Sequence, residues 1–343
     1  MSAFSITGAV AWLGPGRVLD EPCVVVEGTR IAWVGPTAEA PEVDGLTGDW
    51  FLMPGAADHH VHLGLSNPRA ILHGGVTAVR DLGWRPRDIF PVVDISVGTD
   101  FEGPAVSAVG PMITALGGYP SRAGWAPAGT ALEIRGVDEA AAAVNRVAAD
   151  DPVAIKVALN SDAGPTLSDE ELLAICEAAH SRQLPVVIHA QGPGQTERAL
   201  GAGADELAHC PWSERLGDAL IESMARRMNI VSTLDIHSYG QPTPELDTAL
   251  DNLRRFVASG GSVRYGTDLG NGPIPPGIHA TEAMHLASAG LSMEAILRAM
   301  TITSLEPGAP ADLIGLGASP LEDLRALGRI QLVVRAGSAR HPA

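Results

Sequence analysis

Apolar positions fall in two different patterns along this chain. Over residues 5–50, short runs such as "SITGAVAWL", "PCVVVEGTRIAWVG" and "GDWFLMPG" alternate with Gly-rich turns. Valine, isoleucine and tryptophan in runs of that length favour antiparallel strands. The pattern returns near the other end in "ADLIGLGA" and "RIQLVVRAGS", so both ends predict parts of one small β unit with something else inserted between them. The middle alternates strand-like runs with helical stretches. The strands predicted there are "FLMPGAADHHVHLG", "VTAVRDLG", "AVSAVGPMIT", "VAIKVAL", "PVVIHA", "DELAHC", "NIVSTLDIH" and "VRYGTDLG". Among the helices, "SDEELLAICEAAHSRQ" opens on Ser168 as N-cap with Glu171 three residues on, a capping box. "EAAAAVNRVAAD", "GQTERALGAGA" and "LGDALIESMARRMN" follow suit.

Strands of that number over roughly 220 residues suit a (β/α)8 barrel, whose typical length is about 250. An open doubly wound sheet is the competitor. It normally carries a Gly-rich phosphate loop after its first strand, and here histidines stand in that place.

Composition narrows the partners. The 343 residues are 45% hydrophobic and only 18% charged, which indicates a well-buried globular protein. A net charge of −17 argues against nucleic acid or an anionic membrane as partner. The start, "MSAFSITGAVAWLGPGR", does not resemble a signal peptide, and no apolar run reaches the length of a membrane span. Cys23, Cys176 and Cys210 form neither a disulfide framework nor a CxxC metal site, so a cytoplasmic location is expected. A small-molecule substrate is the expected partner, and a homo-oligomer is left open.

Lys156, in "PVAIKVAL", is the only lysine; the other 22 basic residues are arginine. It stands between Ile155 and Val157 in a run that predicts a buried strand. A buried amine without a partner is costly or gives up its proton, and a neutral amine does chemistry closed to a guanidinium. The residues alone leave three readings: a Schiff base with a carbonyl substrate, a carbamate with carbon dioxide, or a lysine snorkelling from a strand end.

In "PGAADHHVHLG", His60 and His62 are two apart. At a strand end they project from one face and can share a metal, whereas His59 points the other way. Polar residues then recur where successive barrel strands should end: Lys156, His189, His209 and Asp268. That rim is where barrel enzymes place their chemistry.

With these residues in place, the chain resembles the amidohydrolase superfamily over nearly its whole length. "PGAADHHVH" is similar to the superfamily's PGxxDxHxH opening through Pro54, Gly55, Asp58, His60 and His62. Lys156 matches the strand-four lysine that is carboxylated and bridges two metals. His189 and His209 match the strand-five and strand-six ligands, and Asp268 the strand-eight aspartate. "LHGGVTAVRDLG" and "EPGAPADLIGL" resemble the branch of imidazolonepropionase-like enzymes and metal-dependent Xaa-Pro and Xaa-Arg dipeptidases. The resemblance implies a barrel over 54–304 and a β-sandwich from 1–53 and 305–343.

It also implies a binuclear metal-dependent amidohydrolase that cleaves a C–N bond of a small molecule such as an N-acyl amino acid, dipeptide or cyclic amide. His60, His62, carboxylated Lys156 and Asp268 would hold one ion, and the carbamate, His189 and His209 the other. Zinc is the first choice, with manganese, iron or cobalt as alternatives. Asp268 would shuttle the proton from attacking water to leaving nitrogen, Asp58 would orient a ligand histidine or the barrel mouth, and His237 would stabilise the oxyanion. Tyr119, Arg122, Tyr239 and His279 are candidate substrate contacts on the long loops. His73, His180 and His285 are read as structural and His341 as an exposed tail residue. The alternatives are a mononuclear deaminase, disfavoured because "HAQGPG" lacks a glutamate three residues after His189, and a lactone or phosphoester hydrolase on the same fold. A scaffold without catalysis would be expected to have lost ligands.

Overall fold

A computed structural model describes residues 3–340; His341 lies outside them. Strands from the two ends of the chain pair directly. One sheet runs in the order Arg30–Pro36, Pro22–Glu27, Phe4–Thr7, Gly45–Thr47. A second runs Ser338–Arg340, Ile330–Arg335, Leu313–Leu316, Phe51–Pro54, Val10–Gly14, Arg17–Asp20. Ile6, Val24 and Ile31 of the first sheet and Leu52, Leu313 and Leu332 of the second share one apolar cluster.

Between these sheets the chain is α/β and barrel-like. A three-stranded parallel run holds Ala56–Val61, Val76–Asp81 and Ala105–Ala108. A seven-stranded parallel run continues with Ala131–Ile134, Met112–Ala115, Ile155–Asn160, Val186–Gln191, Glu206–Leu207, Asn229–Val231 and Ser262–Arg264. Hydrogen bonds join the two runs on both sides. Val153 N donates to Ala108 O at 3.0 Å on one side. On the other, Asp268 N donates to His60 O and His62 N to Leu269 O, both at 2.8 Å. Closure in this way leaves no free edge on the strands that carry the candidate site.

Two predicted strands are each split in the fold, and glycine or proline is the cause in both. "FLMPGAADHHVHLG" divides at Gly55: Phe51–Pro54 joins the terminal sheet and Ala56–Val61 opens the barrel. A Cβ at Gly55 would stand 2.1 Å from Thr77 Oγ1, so only glycine lets the chain pass there. "AVSAVGPMIT" breaks at Gly110, whose φ is +74°, and at Pro111, which has no N–H for the ladder. The strand Ala131–Ile134 had no sequence signal strong enough to predict it.

The helices pack outside the strands. Asp169–His180 opens with the predicted capping box: Glu171 N donates to Ser168 Oγ at 3.2 Å, and Ser168 N to Glu171 Oε2 at 2.7 Å. No helix among the described residues is long and apolar enough to cross a membrane. All three cysteines are buried and free.

Candidate metal centre

Barrel strands and the loops after them gather the predicted ligands into one cavity of about 150 Å³; His209 and Asp268 follow their strands, but Lys156, expected at a strand end, is the second residue of Ile155–Asn160. His60, His62, Lys156, His189, His209 and Asp268 all line it and all are buried. His59 lines other cavities, as its opposite strand parity requires.

The hydrogen bonds around the first pair of histidines fix their tautomers. His60 Nδ1 lies 2.8 Å from the carbonyl of Ala208, and His62 Nδ1 lies 3.1 Å from the carbonyl of Gly83. A carbonyl only accepts, so each Nδ1 carries a hydrogen and each Nε2 points inward, bare whenever its ring is neutral. These nitrogens stand 3.2 Å and 3.3 Å from one oxygen, Asp268 Oδ1, which has no other partner. Three lone-pair acceptors thus converge, with ligand atoms within 4.8 Å of one another. Facing acceptors repel unless a cation lies between them, so this donor set fits a divalent ion. Without one, a proton must take that role. Burial opposes a charge on His62, but Asp268 more than offsets this and raises its pKa. His60 is held well below its ordinary value by burial.

Asp268 is itself held under constraint. Its φ is +57°, in the left-handed region, and Asn271 Nδ2 donates to its second oxygen at 2.9 Å. Burial works to protonate it; His60 and His62 outweigh burial and keep it ionised. Asp58 stands behind this pair. Its carboxylate accepts from His60 N at 3.0 Å, Thr267 N at 3.1 Å and Thr267 Oγ1 at 2.5 Å, tying the histidine strand to the aspartate segment.

Lys156 is 1% exposed and its Nζ has no hydrogen-bond partner. Burial brings its pKa down from 10.5 to about 7, which leaves a substantial neutral fraction near neutral pH. His209 Nδ1 lies 2.9 Å from Thr233 Oγ1, and the Asn160 amide lies 3.3 Å from His189 Nε2. Burial pushes His189 down to about 3 and His209 well below its ordinary value, so both rings are neutral and able to ligate.

His237 enters the cavity from the short turn Asp235–His237 and stacks on Trp212 at 4.4 Å. Its Nε2 is buried without a partner, and burial brings its pKa down to about 4. Glu282 steadies that turn by accepting from Leu234 N and Asp235 N. Tyr119 also lines the cavity and stacks on His189 at 4.9 Å.

The other three substrate candidates do not line it. Arg122 is exposed, with its guanidinium beside Gly117. Tyr239 is 46% exposed. His279 gives its Nε2 to Asp235 at 2.6 Å, an interaction shared with His285. Sequence reasoning passed over Trp125, which packs on His62 at 4.6 Å, and Trp212, Asn271, Gln191 and Met112 of the lining. The available signal was adjacency: Trp212, Asn271 and Gln191 each follow a ligand by two or three residues.

Fold and site together define an α/β barrel protein with a candidate cation site at its C-terminal rim. The sequence profile of the Amidohydrolase family matches residues 51–339, and the chain belongs to that family. The imidazolonepropionase of Micrococcus luteus is 44% identical over 57 residues, which span 16% of this chain and 14% of that protein. The match therefore covers far less than two thirds of the curated relative. Solved structures are similar over far more of the chain. A putative prolidase from Bifidobacterium longum superposes with a TM-score of 0.82 at 26% identity, covering 99% of this chain and 94% of that one. A Xaa-Pro dipeptidase with bound methionine gives a TM-score of 0.82 at 20% identity, covering 99% and 100%.

Proposed function

We propose that the protein is a binuclear metal-dependent hydrolase that cleaves an amide C–N bond of a small molecule. The observation that carries this reading is the convergence of His60 Nε2, His62 Nε2 and Asp268 Oδ1, three potential ligand atoms, beside the unpartnered amine of Lys156. Family membership supports hydrolysis, and the dipeptidase and prolidase names of similar structures support a C–N bond as the target.

The neutral Nζ of Lys156 adds to carbon dioxide, forming an N–C bond and releasing one proton. His60, His62, Asp268 and the carbamate would hold one ion, and the carbamate, His189 and His209 the second. When bound, divalent ions of this kind, zinc first among them, supply Lewis acidity and lower the pKa of water. Asp268 takes the proton of the attacking water and delivers it to the leaving nitrogen. His237, held neutral, donates a hydrogen from Nε2 to the developing oxyanion. Arginine at position 156 could do none of this, since it neither forms a carbamate nor ligates a cation.

On the same reading the two terminal sheets form a β-sandwich domain (1–53 and 305–343) around a barrel domain (54–304). The protein works in the cytoplasm on a small-molecule substrate, without nucleic acid or membrane.

The test is at Lys156. Lys156→Ala should lose activity and metal, and short carboxylic acids supplied with metal should restore part of both. Lys156→Arg should stay inactive. Near-normal turnover by Lys156→Arg would refute the carbamate, and one ion per fully active chain would refute the binuclear site.

A further inference from the structure

We propose that the barrel carries a second binding site, at the opposite end of its strands from the metal centre, for a small organic oxyanion: a carboxylate or phosphate group on an apolar body. The site needs neither the metals nor the hydrolase reading.

Two cavities meet at that end. One, of about 810 Å³, is lined by residues 260–264 and by residues before, within and after the helix Met293–Ala299. The other, of about 270 Å³, is lined in part by Val153 and Pro185. His59, Arg264 and Ile302 line both. Val153 and Pro185 stand just before the strands Ile155–Asn160 and Val186–Gln191, and Gly260 and Gly261 just before Ser262–Arg264. The cavities therefore open at the N-terminal ends of the strands, whereas His209 and Asp268 follow theirs. The larger volume lies within the range of about 300–1,000 Å³ usual for small-molecule sites.

The charge of the walls selects an anion. The chain has 40 acidic against 23 basic side chains, yet no residue lining the larger cavity is acidic and two are arginines, Arg264 and Arg298. Arg264 approaches Glu206 Oε2 through Nε at 3.0 Å, and its terminal nitrogens donate to no acceptor among the described residues. Arg80 takes the other oxygen of Glu206, so these three side chains keep one positive charge without a counter-ion. Asp58, the acid that lines the smaller cavity, spends its oxygens on His60 N and on Thr267. Arg298 is exposed and forms no ion pair among the described residues.

His59 supplies an independent sign of a ligand. It is only 8% exposed, yet neither ring nitrogen bonds to another described residue. Buried polar groups normally find a partner, and the cavity is where this one opens. Burial, then Arg80 and Arg264, bring its pKa down to about 3, so the neutral ring has one N–H to give. That N–H and the guanidinium forks match the oxygens of a carboxylate or phosphate. Val257, Leu291 and Ile302 add apolar wall for the rest of the molecule, and Ile302 is otherwise 60% exposed.

Calorimetry on the metal-loaded protein, repeated after chelation, tests the site with 1-naphthyl phosphate, 1-naphthoate, inorganic phosphate and neutral 1-naphthol. About one equivalent of a naphthyl anion should bind, survive chelation, and bind at least about tenfold tighter than naphthol, a difference of 1.4 kcal/mol or more. The tighter of the two anions identifies the headgroup. Arg264→Gln should weaken this binding at least about tenfold. Arg298→Gln should weaken it severalfold, and it decides the matter if Arg264→Gln does not fold, because Arg298 is exposed. Arg122→Gln removes the same charge elsewhere and should bind as the parent does. Binding of neither anion, binding lost on chelation, naphthol bound as tightly, or equal weakening by Arg122→Gln overturns the proposal. Unchanged affinity in Arg298→Gln overturns it too. Inorganic phosphate bound as tightly as naphthyl phosphate overturns the apolar part.

Discussion

Replacing Lys156 by methionine should make the metal-free protein more stable while ending its chemistry. Burial lowers the lysine's pKa from 10.5 to about 7. Between those values the unfolded chain binds a proton that the fold refuses, so stability from this group rises with pH across that window. Below about pH 7 the penalty is fully present; above about pH 10.5 it is gone. At about 1.4 kcal/mol per pH unit, the penalty is about 4 kcal/mol near pH 7 and about 1 kcal/mol near pH 9.5. Methionine fills similar space with no charge to desolvate, so Lys156→Met should gain most of that difference. Urea unfolding of parent and variant, in chelator and carbon dioxide-free buffer at both pH values, measures it. Comparing the two proteins at each pH cancels the titrating groups remote from Lys156. A variant no more stable than its parent at pH 7, or a gain that does not shrink at pH 9.5, would refute the view of Lys156 as a strained, uncompensated amine.

Other outcomes are expected. His189→Ala should abolish turnover and reduce a metal content of about two ions per chain, as assayed by plasma emission. His73→Ala should spare both, because His73 ends the helix Pro68–His73 and does not line the cavity; equal damage would mean core residues had been mistaken for ligands. Ser168→Ala should cost about 1 kcal/mol in denaturant unfolding and leave metal binding unchanged, since it breaks the capping box of Asp169–His180 alone.

That His60, His62, Lys156, His189, His209 and Asp268 would share one cavity was legible because most of them follow an apolar run and Lys156 interrupts one, and strand parity dictates which of His59, His60 and His62 face it. The helix from Ser168 was legible because its capping box is a local signal. What could not be read was anything decided by packing at a distance. Gly55 looks like an ordinary turn residue until Thr77 is seen against it. Arg122 and His279 carry plausible chemistry, yet Arg122 lies exposed outside the cavity and Asp235 holds His279 elsewhere. Trp125 and Trp212 are placed by loops whose course no periodicity records. The neutral state of His237 likewise follows from burial in the folded cavity, a property of the assembled barrel.

The pairing of the terminal strands imposes an order on biosynthesis. Phe51–Pro54 leads straight into the strand bearing His60, yet one of its neighbours in the sheet, Leu313–Leu316, is made about 260 residues later. At ribosomal speeds of about 5–20 residues per second, that delay is roughly 13–50 s. For that interval the nascent chain presents an apolar strand edge with nowhere native to dock, the kind of surface that holdase chaperones cover. Expression yield should therefore respond to translation speed and chaperone supply more than the stability of the finished protein would suggest.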